Sequence, residues 1–152
     1  MSNTIQALNA KDRSTGTSSI SASDRRTVIT FYGNSTSIAA GDFVCFDTTK
    51  TGADRVVYVT EADSDANATQ QAIGVSLDAC ATVGDRVRVV VKGYVEGANV
   101  HADTTTGLLL DSSSVAGQAG LWLESHGRGA IAQALEADTA NVADVWVFGL
   151  FA

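Results

Sequence analysis

The stretch from Gly84 to Gly97, GDRVRVVVKGYVEG, constrains the fold more than any other part of the chain. Val87, Val89, Val91 and Val95 fall on one face of an extended strand, with Gly93 completing the row, while Arg86, Arg88, Lys92 and Glu96 alternate onto the other. A period of two is the signature of a half-buried β-strand. The bounding glycines are turn signals.

The rest of the chain has the material for more such strands. Hydrophobic residues make up 45% and aromatic residues only 7%, so the core must be built from Val, Ala, Leu and Ile. Side chains branched at Cβ fit a pleated surface well. A chain of 152 residues suffices for one domain that needs no disulfide or metal, since it can bury roughly 70% of its unfolded surface. Cys45 and Cys80, the two cysteines, sit in apolar strand patterns and read as small buried hydrophobes.

In order, residues 1–27 hold ten Ser or Thr and no aromatic residue, and read as a flexible N-terminal arm with small apolar spots at Ile5, Leu8 and Ile20. Residues 28–152 read as the β domain. Candidate strands are Val28–Tyr32, Ile38–Asp47, Arg55–Thr60, Ala72–Ala79, the Gly84–Gly97 stretch, the run ending at Leu110, Leu121–Glu124, Ala130–Ala137 and Asp144–Phe151. The last run is apolar on both faces, which suits a central strand or one covered by another subunit. The fold class is therefore all-β, a single β-barrel or β-sandwich-like domain of eight to ten strands.

An internal repeat runs through it. Placing residue i over i+58 aligns Ala72–Val91 with Ala130–Gly149, and six of the 20 pairs are identical, including Ala72 with Ala130, Ile73 with Ile131 and Leu77 with Leu135. The same offset pairs Val87 with Val145 and Val89 with Val147. Upstream, IAAGDFVCFD and TTTGLLLD share a turn, a glycine, an apolar strand and an aspartate. Two related β units are expected, over about 38–97 and 104–152. On this alignment the first copy turns Arg88 and Val90 outward and the second turns Trp146 and Phe148 outward, which marks the second for subunit contact.

Charge and motif narrow the function. The formal charge is -7, with residues 1–30 at +2 and the remainder at -9, so the acidic body repels nucleic acid phosphates. The opening residues lack the apolar run of a signal peptide, and no stretch has 18 uninterrupted apolar residues, so no membrane partner is expected. Asp63, Asp65 and Asn67 imitate the start of a calcium loop, but Ala68 and Gly74 stand where its glycine and glutamate belong. Gly127, Gly129 and Ala132 match a dinucleotide fingerprint, yet too little chain follows for the parallel unit it needs, and the repeat makes the segment a strand. His101, His126, Cys45 and Cys80 lack the close spacing of zinc ligands. No G-x-S-x-G is present, so a hydrolase would need a pocket joining His101 or His126 to a carboxylate. No catalytic residue, metal or cofactor is assigned.

The run GVSLDACATVGDRVRVVVKGYVEG, with IAAGDFVCFD before it and AIAQALEADTANVADVWVFG after it, resembles the head decoration, or capsid cement, proteins of tailed bacteriophages over about residues 36–152. That resemblance implies a β body bound to the outside of a phage head, in contact with the major capsid protein and commonly a homotrimer. It places the protein on the virion exterior, after assembly in the host cytoplasm. On this reading Ile5, Leu8, Lys11, Arg13, Arg25 and Arg26 contact the capsid, and Trp146, Phe148 and Leu150 contact other subunits. The alternative is the base of a virion fibre or knob that binds a receptor or sugar.

Overall fold

A computed structural model describes residues 25–65, 71–127 and 129–149. They form nine strands: β1 (Arg26–Gly33), β2 (Phe43–Phe46), β3 (Tyr58–Glu61), β4 (Gly74–Ser76), β5 (Arg86–Asn99), β6 (Leu109–Ser112), β7 (Ala119–Leu121), β8 (Ala132–Ala134) and β9 (Val142–Val147). All belong to one sheet, in the order β1-β3-β2-β4-β5-β9-β8-β6-β7, with a further pairing of β1 to β5. The fold is all-β. The sheet as a whole does not close into one barrel.

The alternating stretch is β5, and everything else is arranged about it. Its first half pairs antiparallel with β1 along one edge, while its other edge meets β4 at Val89 and Val90 and then β9 from Gly93 onward. Because β1 also meets β3 in parallel, the first unit is a ring of pairings through β5, β1, β3, β2 and β4. The second unit repeats it. The second half of β5 pairs with β9, β9 with β8, β8 with β6 and β6 with β7, and Val100 bridges Ala119 of β7 in parallel.

Single hydrogen bonds confirm the equivalence. Gly41 N–H donates to Ser76 O and Gly107 N–H to Ala134 O, both at 2.8 Å. Cys80 N–H donates to Ile38 O at 2.9 Å, and Asp138 N–H to Thr104 O at 3.0 Å. Gly41 and Gly107 have φ of 93° and 85°, in the region open to glycine, where each chain turns into the strand that follows. The two expected β units are therefore present, with β5 shared between them.

The register differs from the i+58 alignment in one respect. β4 and β8 keep that offset, but Ser76 pairs with Val89 while Ala134 pairs with Val145, so the last strands correspond at an offset of 56. The connection before β9 is shorter than that before β5 by two residues. Val145 thus answers to Val89, Trp146 to Val90 and Asp144 to Arg88. A shift of two keeps every side chain on its face.

Two clusters make up the core. Phe31, Ile38, Val44, Val59, Ile73, Cys80, Val87, Val89 and Val91 fill the first unit, with Phe46 packed against them. The larger cluster holds Leu110, Ile131, Val145 and Val147 of the second unit together with Phe43, Cys45, Val75 and Val90, which lie on the opposite face of the first. Val90 is fully buried, which corrects its expected outward position. The even face of β5 is thus covered at Val90, where the larger cluster reaches it, while Arg86, Arg88, Lys92 and Glu96 on that face stay exposed.

Strand boundaries also change, with β2, β4 and β8 shorter than expected and β9 starting earlier, at Val142. Gly52–Val56 is a 3₁₀ turn rather than the start of a strand: Gly52 is left-handed and Val57 N–H closes the turn on Asp54 O. β3 therefore begins at Tyr58. β7 ends at Leu121, and Glu124–His126 forms a second 3₁₀ turn that stops at left-handed Gly127. β1 begins at Arg26, so the strand includes the last two residues of the stretch read as an arm.

Candidate interaction faces

Directly paired residues in a sheet point the same way, so register defines rows of side chains across strands. In the first unit Val28 pairs with Val90, Val90 with Val75 and Val75 with Phe43, and Ala62 N–H donates to Phe43 O at 2.9 Å. Val90, Val75, Phe43 and Ala62 are all fully buried. In the second unit Tyr94 pairs with Trp146, Trp146 with Gln133 and Gln133 with Leu109, and Trp122 N–H donates to Leu109 O at 2.8 Å. The rows are position-for-position counterparts. The second is open: Leu109 is exposed, and Tyr94, Trp146, Gln133 and Trp122 are half-buried.

Tyr94 heads this row and is fixed by charge. Its hydroxyl donates to Asp144 Oδ2, and Gly97 N–H donates to Asp144 Oδ1 at 3.0 Å. The hydrogen bond to that carboxylate, reinforced by burial and by repulsion from Asp144, pushes the phenol up to about 12. At the matching place in the first unit Arg88 pairs with Asp78 at 2.7 Å, and the Arg88 hydrogen bond holds the Asp78 carboxyl below its ordinary range.

A second open feature lies on β1. From Arg26 to Phe31 this strand pairs with β5 alone, and its contact with β3 begins only at Tyr32. Its other edge therefore presents unpaired backbone among the described residues, flanked by Val28 and Ile29 at 39% exposure each. Unpaired edges are templates for strand addition. Arg25 and Arg26 stand at its start.

Of the residues named from sequence, Trp146 lies in the open row and Phe148 is half-buried two residues beyond it. Arg25 is exposed and Arg26 half-buried beside the open edge. Ile5, Leu8, Lys11, Arg13 and Leu150 lie outside the described residues. Tyr94, Leu109 and Trp122 were not singled out from sequence. Tyr94 and Leu109 lie on different strands and Trp122 just past the end of β7, so only the pairing across the sheet unites them with Trp146.

The other motifs resolve into ordinary structure. Ala132–Ala134 is a strand, as the repeat requires, so Gly127 and Gly129 precede no phosphate-binding helix. Cys45 and Cys80 are free, buried and in separate clusters, and burial pushes the Cys45 thiol up to about 12. Asp65 N–H donates to Asp63 Oδ1 at 2.8 Å in a loop turn, and Asn67 lies outside the described residues. Among the described residues no three of His, Cys, Asp or Glu gather as metal ligands. His101 Nδ1 stands 3.6 Å from Asp103 Oδ2, with both side chains largely in solvent. No protein-family model matches the chain, and no curated protein was found similar to it.

Proposed function

We propose that this chain is a structural capsid decoration protein, which binds the outer surface of a phage head and ties major capsid subunits together without catalysing a reaction. The observation that carries the reading is the open row Tyr94, Trp146, Gln133, Leu109 and Trp122, since the first-unit counterparts of its last four members, Val90, Val75, Phe43 and Ala62, are buried inside the chain. Fully burying an exposed large apolar side chain stabilises a contact by about 1.5 to 3 kcal/mol, and the half-buried rings of this row can add only part of that each. The row serves contact between copies, in a homotrimer. The N-terminal residues, entering the fold at Arg25 beside the open edge of β1, serve contact with the capsid. Many modest contacts, made by three linked copies at once, hold firmly through avidity.

Deletion tests the assignment. Removing residues 1–24 stops short of β1, so the shortened chain is expected to fold and to lose co-sedimentation with heads that lack the protein. Undiminished co-sedimentation would remove the N-terminal residues from the capsid contact.

A further inference from the structure

The first unit docks on the second through a matched pair of faces, and both faces recur in the open. The row Val90, Val75, Phe43 and Ala62 meets the second unit at Gly117: Phe43 N–H donates to Gly117 O at 2.8 Å, and Gly117 N–H to Ala62 O at 3.0 Å. Beside them Asn99 N–H donates to Gly41 O at 2.9 Å, and the Asn99 amide donates to Asp42 Oδ1. On the second unit the counterpart of this docking row is Trp146, Gln133, Leu109 and Trp122, in the open row. The receiving face has a counterpart too, on the first unit.

Equivalent hydrogen bonds locate it. Gly33 N–H donates to Asp85 O and Val100 N–H to Asn141 O, both at 2.9 Å, while Asn34 N–H donates to Val59 O and His101 N–H to Ala119 O, both at 2.8 Å. Gly33 therefore answers to Val100 and Val59 to Ala119, which makes Tyr32 the counterpart of Asn99 and Val57 the counterpart of Gly117. Both are open, Tyr32 at 39% exposure and Val57 at 36%, and Tyr58 beside Val57 sets its ring 5.4 Å from that of Tyr32. From this we infer that the contact between units continues between copies: the open row of one copy docks on the Tyr32 and Val57 face of a second copy.

The inference rests on the row as the subunit contact and names what the row meets. The residues exchanged between the two settings suit it. Gly41 answers to Gly107, so Asp42 answers to Leu108, and the Asp42–Asn99 pair inside the chain becomes Leu108 and Tyr32 between copies. A polar pair that must keep its hydrogen bond gives way to an apolar one that needs only to be covered. Gly117 admits a close approach, since a Cβ there would lie 2.7 Å from Asp42 Cγ. Val57 has a side chain at that place, and Tyr32 N–H already donates to Val57 O at 2.8 Å. The contact between copies is therefore made by side chains, with more space between the backbones than inside the chain. Row and face lie on different units, so the contact is heterologous, and such a contact closes into a ring or runs on as a filament. In a ring of three copies it sets six units in sequence, joined alternately within and between chains.

The experiment is light scattering on two full-chain variants, each alone and then mixed, well above the concentration at which the native protein assembles. Leu109→Arg damages the row and keeps the face, whereas Val57→Arg damages the face and keeps the row. Each alone, with circular dichroism unchanged, is expected to fall from the native mass to that of a single chain. Their equimolar mixture is expected to rise to the mass of a pair and stop there, because one intact row meets one intact face and the remaining contact sets arginine against arginine. Tyr32→Lys, elsewhere on the same face, is expected to behave as Val57→Arg does and replaces it if that variant does not fold. Native mass in a folded face variant, or a mixture that stays at a single chain, would overturn the inference. Native mass in Leu109→Arg would instead remove the row from the subunit contact, and the inference would fall with that reading.

Discussion

Tyr94 shows how one hydrogen bond sets a measurable property. Its phenol is raised because the Asp144 carboxylate accepts from the neutral hydroxyl and repels the phenolate. A folded-state pKa above the unfolded value, near 10 for tyrosine, means the bond stabilises fully below that value and loses its contribution as pH rises through about 12. Titrating tyrosine absorbance should therefore reveal one of the three tyrosines ionising last, near 12. Asp144→Asn is expected to return that group toward about 10. An unchanged late step in the variant would show that Asp144 is not its cause.

Among the elements β5 carries the most structure, since each half belongs to a different unit. Gly93 is where the halves meet, with φ of 105° and Arg25 O so close that a Cβ would lie 2.0 Å from it. Next to it the register with β1 shifts between Thr27 and Val28, a bulge that lets β5 turn from one unit to the next. Gly93→Ala must strain the backbone and push β1 away, and is expected to cost about 3 kcal/mol or more in urea denaturation. A loss under about 1 kcal/mol would mean that β1 moves freely. The alternation of β5 was plain in the sequence, but its bulge was not. Val90 looked outward-facing because alternation says nothing of a second layer. Likewise β3 begins later than Arg55–Val56 suggested, since a local 3₁₀ turn outcompetes β-branched propensity there.

Across the whole molecule, the repeat was the most legible feature and also the most informative. Shared identities mark it, and the two-residue shift of the last strand leaves no trace in them because a period-two pattern survives such a shift. What the sequence hid was the open row, which takes one residue from each of four strands and a fifth, Trp122, from just past the end of β7. Leu109→Arg tests its role directly, at a side chain 37% exposed and so outside the core. Light scattering on the native protein should give a mass of three 15.7 kDa chains, falling to one in the variant with circular dichroism unchanged. Retention of the native mass in the variant would move the subunit contact elsewhere.

The decisive measurement is electron microscopy of phage heads prepared with and without this protein, at a resolution that places individual strands. The expected difference is density on the outer surface between capsid subunits, three β bodies to a site, with Trp146 and Leu109 at the contact between copies and Arg25 directed to the capsid. Heads with no added outer density, or bodies whose Trp146 row faces solvent, would contradict it.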